Sequence, residues 1–190
     1  SSVVRSKRVR LKVGYVGHLY QGRGVEIIIQ LAGIFPEIDF DIVGGTENDI
    51  DFWSKKITGI DNIKFYGYVS HGLLSEYYST FDVLIAPYQV GVNQSDGKSD
   101  TTRWMSPMKV FEYMSYGKPI ISSNILVLKE VLNEGNSILV NPLDIEDWSS
   151  AIETLKCQDK RDRLGRRAYT DFINHYTWDE RAKNILKELL

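Results

Sequence analysis

The sequence is short of the residue types that would announce several kinds of chemistry. It has one cysteine, Cys157. A single thiol excludes an internal disulfide and any cysteine cluster for metal. The histidines are His18, His71 and His175, and no pair of them has metal-ligand spacing. No apolar run is long enough to span a bilayer, and no signal-peptide pattern opens the chain. Neither charge is in excess: 23 Lys and Arg against 25 Asp and Glu leave a net charge of −2, which gives no nucleic-acid signal. Internal repeats and low-complexity tracts are also missing. These absences make a soluble cytoplasmic protein the expectation. The first residue is Ser1 rather than Met, as expected of a fragment.

What is present is ordinary globular material. The chain has 190 residues, 43% hydrophobic and 25% charged. That length corresponds to about one to one and a half domains and can bury a substantial core. Four cations, Arg5, Lys7, Arg8 and Arg10, come before any core pattern. They read as a basic edge at a domain boundary, with residues 1–10 as linker. Attraction to anionic lipid headgroups is the second reading, and would give peripheral contact at the inner face of a membrane.

The strongest local signal runs from Thr101 to Ile121. Ser106 followed by Pro107 predicts a helix N-cap and first helical position. Met108, Phe111 and Ser115 then share one face, with Met114 beside them. Phe111, Met114 and Tyr116 are expected in the core. Gly117 predicts the C-cap, and Lys118-Pro119 stops the helix before a strand at Ile120-Ile121-Ser122. A loop thus delivers a helix N-terminus with unpaired N–H groups near Met108, Lys109 and Val110, and such an end favours an anion. Glu112 lies four residues past Met108, on the same face one turn deeper. A phosphate on the helix end would leave Glu112 to meet hydroxyls attached to it. An ordinary capped core helix, with Glu112 paired to Lys109 or Lys118 at the surface, has the same spacing.

Elsewhere strands and helices alternate. Strands are predicted at Leu11–Val16, Phe40–Val43, Ile63–Tyr66, Val83–Ala86, Ile120–Ser122 and Ile138–Val140. Helices are predicted at Val25–Ile34, with Ile27, Ile28, Leu31 and Ile34 inward, and at Asn48–Ile57. Further helices are a short one capped by Ser70, another near Val127–Leu132, and three at Ile145–Leu155, Arg161–Asn174 and Trp178–Leu190. Asp144 and Thr177 are the candidate N-caps for the first and last of those three. The strands are apolar on both faces. This predicts an α/β domain with a Rossmann-like doubly wound parallel sheet of about six strands and helices on both faces. In such sheets a ligand binds beyond the carboxyl ends of the strands. Gly17, Gly44, Tyr68, Pro87 and Ser122 all follow strand ends, so the loops there should share one cleft. Residues 88–105 are polar and aperiodic, as expected of a functional or mobile loop.

Gly17-His18-Leu19-Tyr20-Gln21-Gly22-Arg23-Gly24 is a glycine-rich turn. No glycine follows Gly24 at the spacing of the dinucleotide fingerprint, and Arg23-Gly24 replaces the Lys-Ser/Thr of a P-loop. What survives is flexible backbone around Gly17 and Gly22 beside a cation. Arg23 can bridge phosphate oxygens, or the stretch is a plain strand-to-helix turn. His18 either donates to a phosphate or packs within the turn. His71 and His175 read as surface residues. Asp96 and Asp100 on the long loop read as solvated, so no metal and no cofactor is expected.

Three of these places together resemble the C-terminal, donor-binding half of retaining glycosyltransferases of the GT-B fold, family 4, across residues 10–190. The glycine turn is similar to that family's first loop, G-R-L-x-x-x-K-G, with Arg23 at the Lys position. Phe65-Tyr66-Gly67-Tyr68-Val69-Ser70 resembles the segment against the nucleobase. Lys109-Val110-Phe111-Glu112-Tyr113-Met114-Ser115-Tyr116-Gly117-Lys118-Pro119-Ile120-Ile121 resembles the E-A-M-A-x-G-x-P-V-I signature, with Glu112 as its Glu. Two departures stand out. His18 replaces an Arg. Trp104 stands eight residues before Glu112, where the family has another acid, and Asp96, Asp100 or Thr102 would have to replace it.

The resemblance implies a nucleoside diphosphate sugar as partner and transfer of its sugar to an acceptor hydroxyl with retention, in polysaccharide or glycolipid synthesis. It implies Arg23 and Glu112 in catalysis, and Tyr68 and Val69 at the base. The backbone of Met108, Lys109 and Val110 would face the phosphates. It also implies an N-terminal acceptor domain missing from this chain, so that residues 11–190 alone would be inactive. The terminal helix would pack back on that domain. A non-catalytic nucleotide-sugar-binding module is the main alternative. A nucleotide-sugar epimerase fits less well, because the third glycine is missing.

Overall fold

The computed structural model describes residues 10–89, 108–180 and 183. The basic stretch Arg5 to Arg8, the loop with Asp96, Asp100, Thr102 and Trp104, the Ser106-Pro107 cap and most of the last predicted helix lie outside the described residues. Of that helix, the start at Trp178 is seen, with the Glu180 N–H donating to Thr177 Oγ1 at 3.3 Å.

The chain order is β1 Lys12–Val16, α1 Val25–Ile34, β2 Asp39–Val43, α2 Glu47–Ser54, β3 Ile63–Gly67, α3 Leu74–Thr80 and β4 Val83–Ala86. Then come α4 Met108–Ser115, β5 Ile120–Ser123, β6 Ile138–Val140, α5 Ile145–Leu155 and α6 Gln158–His175. The strands form one six-stranded sheet in the order β3-β2-β1-β4-β5-β6. Every strand pair is parallel. Side chains alternate along each strand, so the sheet separates two cores. Val13 and Tyr15 of β1 join Val83 and Ile85 of β4 under α1 and α5. Val16, Leu84 and Ala86 face the other way, under α3, α4 and α6. Gly14 of β1 lets the Phe81 ring lie directly on the strand, where a Cβ would collide with it.

Several boundaries and faces differ from the sequence expectation. α2 starts at Glu47, because Thr46 and Asp49 make a reciprocal capping box that fixes the first turn there. The segment near Val127–Leu132 is a 3-10 turn at Leu126–Glu130. α6 begins at Gln158, ahead of the predicted Arg161. Ile34, expected inward, is 49% exposed, since it ends α1 and the core takes Val25 and Ala32 instead. α4 buries Val110, Tyr113 and Met114, while Phe111 is half-buried and Tyr116 exposed. The apolar spacing there admits two faces, and the position of β1 and β4 selects the one carrying Tyr113. Asp144 caps α5 as expected, accepting from the Glu146 N–H at 2.9 Å.

Candidate functional site

The sheet order reverses between β1 and β4, and the strands part there after Gly14↔Leu84. Tyr113 of α4 fills the parting. Its hydroxyl accepts from the Val16 N–H at 2.9 Å and points its proton toward the carbonyls of Val16 and Ile85 at 3.4 Å. This bond pins the start of α4 over the carboxyl ends of both strands.

Around that point the loops pack backbone against backbone. The Gly17 N–H donates to the Val43 carbonyl at 2.9 Å, and the Gly44 N–H donates to the Gly67 carbonyl at 2.7 Å. Gly24 is the N-cap of α1 in the left-handed region, and a Cβ there would collide with the Pro87 carbonyl. The turn between Gly17 and Gly24 is held from outside by Trp53, whose indole N–H donates to the Leu19 carbonyl at 2.6 Å. The Tyr15 hydroxyl holds it from beneath by donating to the His18 carbonyl at 2.7 Å.

The structure brings most of the predicted residues to this crest. Arg23 is half-buried, with its guanidinium 4.4 Å over the Tyr20 ring. Lys109 reaches from the first turn of α4 across the end of β1, and its Nζ lies 4.1 Å from the centre of the Tyr15 ring. Burial first, then Arg23, push the Lys109 ammonium down to about 7, against the pull of Glu112. Glu112 is half-buried and accepts from the Tyr78 hydroxyl at 3.1 Å. Tyr78 is itself wedged between Phe81, Tyr113 and a stacked Tyr116. The alternative reading, a surface pair of Glu112 with Lys109 or Lys118, finds no ion pair among the described residues. Lys118 donates to the Ser79 carbonyl at 3.3 Å, and Lys109 turns toward Tyr15.

Other predicted residues stand further out. His18 is exposed, its ring 5.7 Å from that of Tyr20. Gly22 borders a hollow of about 390 Å³ with Gln21, Glu26 and Gln89. Val69 is half-buried after β3, and Tyr68 beside it is 83% exposed. Met108 is 53% exposed and lines a groove of about 280 Å³ with Glu112, Phe172, Tyr176 and Trp178. Val110 is wholly buried, backbone included.

Sequence reasoning missed Tyr15, Tyr78, Tyr88 and Tyr113, and saw Lys109 only for its backbone or as a surface partner of Glu112. The available signal was weak: tyrosines in otherwise aliphatic strands and helices, each with a hydroxyl that needs a buried partner. Among the described residues no three His, Cys, Asp or Glu side chains gather to hold a metal, and no helix is long and apolar enough to cross a membrane.

The reversed sheet order, the glycine crest and the pinned helix end define a Rossmann-like domain, one half of a GT-B glycosyltransferase fold. The sequence matches the family described as Glycosyl transferases group 1 over residues 4–171, and the chain belongs to that family. It is 24% identical over 153 residues to an uncharacterized 41.2 kDa protein in the cps region of Klebsiella pneumoniae, covering 78% of this chain and 37% of that protein. It is 25% identical over 183 residues to spore coat protein SA of Bacillus subtilis, covering 90% of this chain and 46% of that one. The chain thus spans less than half the length of these curated relatives. The solved structure of Anabaena HepE in complex with UDP-glucose matches with a TM-score of 0.76 at 18% identity, over 95% of this chain and 48% of that one.

Proposed function

We propose that this chain is the donor-binding half of a retaining glycosyltransferase of family 4. It binds a nucleoside diphosphate sugar, and the sugar passes to an acceptor hydroxyl held by a second domain, in polysaccharide or glycolipid synthesis. The observation that carries this reading is the convergence of Arg23, the α4 N-terminus and Glu112 on the crest where the sheet order reverses. A diphosphate fits there for electrostatic reasons. Backbone N–H groups at Met108 and Lys109 and the Arg23 guanidinium supply positive ends. Glu112 cannot serve the phosphates, since like charges repel. Its second oxygen suits the ribose hydroxyls, the next group along the donor. Gly44 closes the floor of the site, and Tyr68 and Val69 flank the base. Catalysis then consists of stabilising the departing diphosphate.

The solved complexes of Anabaena HepE with UDP and with UDP-glucose support a nucleotide-sugar donor here. Arg10 pairs with Asp39 at 2.8 Å and also donates to the Pro36 carbonyl. Any attraction to anionic headgroups therefore falls to Arg5, Lys7 and Arg8. The test of the central reading is calorimetric titration of the purified chain with UDP, GDP and ADP and their glucose esters. Saturable binding of one nucleotide series is expected. Binding of none of the six would overturn the reading.

A further inference from the structure

Two cations from different elements meet at the end of β1. Arg23 comes from the glycine turn and Lys109 from α4. A lysine ordinarily keeps its ammonium in water while its stem lies on the protein. Lys109, half-buried, instead lays its ammonium against aromatic rings. Its Nζ is 4.1 Å from the centre of the buried Tyr15 ring and 5.4 Å from that of the buried Tyr88 ring. Gly17 makes the room, because a Cβ there would collide with Nζ. Among the described residues no carboxylate forms an ion pair with it. Glu112 lies one turn further along the helix, with an oxygen already bonded to Tyr78. Aromatic faces return only part of the hydration that a buried ammonium loses. Among the described residues, Arg23, two tyrosines and Glu112 surround this ammonium at the N-terminus of α4. His18, the other basic residue of the glycine turn, is exposed beside Tyr20.

We infer that the Lys109 side chain is, with Arg23, the second cation that holds the donor's diphosphate, delivered from α4 rather than from the glycine turn. The inference rests on the donor-binding function proposed above. The same ammonium then faces the charge that develops on the diphosphate as the glycosyl group departs.

A pH dependence follows. Among the described residues, the groups around Nζ are Tyr15 from β1, Gly17 and Arg23 from the glycine turn, Tyr88 after β4 and Glu112 from α4. Burial holds Tyr15 well above the usual tyrosine range and pushes Tyr88 up to about 12, so both stay protonated near neutrality. Lys109, pushed down to about 7, changes charge there. A bound diphosphate favours the ammonium and raises its proton affinity. Affinity should therefore be level below about 7 and fall as pH rises above it. Stability without ligand runs the opposite way. The unfolded chain keeps this lysine charged up to its ordinary 10.5, so between about 7 and 10.5 it binds more protons than the folded chain, and stability rises with pH.

The experiment uses calorimetry with UDP-glucose, GDP-glucose and ADP-glucose, none of which has a phosphate that titrates near neutrality. The parent chain and Lys109→Met are compared, with the matching nucleosides as controls. The variant should bind the sugar nucleotide at least about tenfold more weakly at neutral pH, as for other charged hydrogen bonds. It should bind the nucleoside as the parent does. It should also melt no lower than the parent, because a strained charge has been removed. The parent's affinity should fall from about pH 7 to about pH 9, and the variant's should not. An unchanged affinity in the variant, or an equal loss for nucleoside and sugar nucleotide, would overturn the assignment. A flat pH profile in the parent overturns it without any variant. If the parent binds none of the three, the donor-binding function itself fails; if it binds but Lys109 is indifferent, only this inference does.

Discussion

In the proposed donor site, Arg23 and Glu112 would divide the donor between them by charge. Arg23 lies on Tyr20 at 4.4 Å, which orients the guanidinium. Arg23→Ala should weaken nucleoside diphosphate binding by about 1.5–3 kcal/mol, the usual range for charged hydrogen bonds. Unchanged calorimetric affinity would remove Arg23 from the site. Glu112 is held by the Tyr78 hydroxyl, and Tyr78 is wedged among three aromatic rings. That leaves the carboxylate fixed with one oxygen available. Glu112→Gln should weaken UDP or GDP binding while inorganic pyrophosphate binds as before, and the fold should stay nearly intact. The decisive comparison is a 2′,3′-dideoxy nucleotide on the unmutated chain. Equal affinity for the dideoxy and ribo forms would exclude the ribose role.

At the scale of elements, α4 matters most, and it acts through a single hydroxyl. Tyr113 bridges the place where β1 and β4 separate, so one side chain fixes both the helix and the two strand ends below it. Tyr113→Phe leaves the buried Val16 N–H without its acceptor. The cost should be about 1–3 kcal/mol of stability, read as a lower urea midpoint at an unchanged slope. Donor affinity should fall with it, because the helix N-terminus is no longer held over the crest. A variant as stable as the parent would show that α4 is positioned by its apolar face alone.

At the scale of the molecule, a closed core and an open cleft coexist. Two packed faces cover the sheet, and Trp53, Trp148, Tyr15 and Phe40 are all but fully buried. The curated relatives are more than twice as long as the part this chain matches. On the donor-binding role proposed above, which leaves the acceptor to a second domain, residues 1–190 by themselves should fold cooperatively and bind donor but transfer nothing. A panel of sugar nucleotides with common acceptors is the measurement. Multiple-turnover transfer by this chain would refute the expectation, whereas slow donor hydrolysis is compatible with it.

Much of this was legible from order and periodicity. The alternation of apolar strands with helices determined a parallel sheet covered on both faces, because only that arrangement buries strands that are apolar on both sides. Glycines after strand ends, and the spacing from Met108 to Glu112, pointed to the crest and to the residues that meet there. Side-chain direction was not legible. The sequence permits α4 to bury either Phe111 or Tyr113, and only contact with the parting strands decided for Tyr113. It permits Glu112 to pair with a neighbouring lysine, and only the approach of α3 supplied Tyr78 instead. It shows Lys109 as one more helical lysine. Its place on Tyr15, a residue 94 positions earlier by the numbering, exists because β1 ends beneath α4 and Gly17 has no side chain to keep the ammonium out. Periodicity is a property of neighbours along the chain, whereas the charge and hydrogen bonding of this site are set by residues that only the fold makes neighbours.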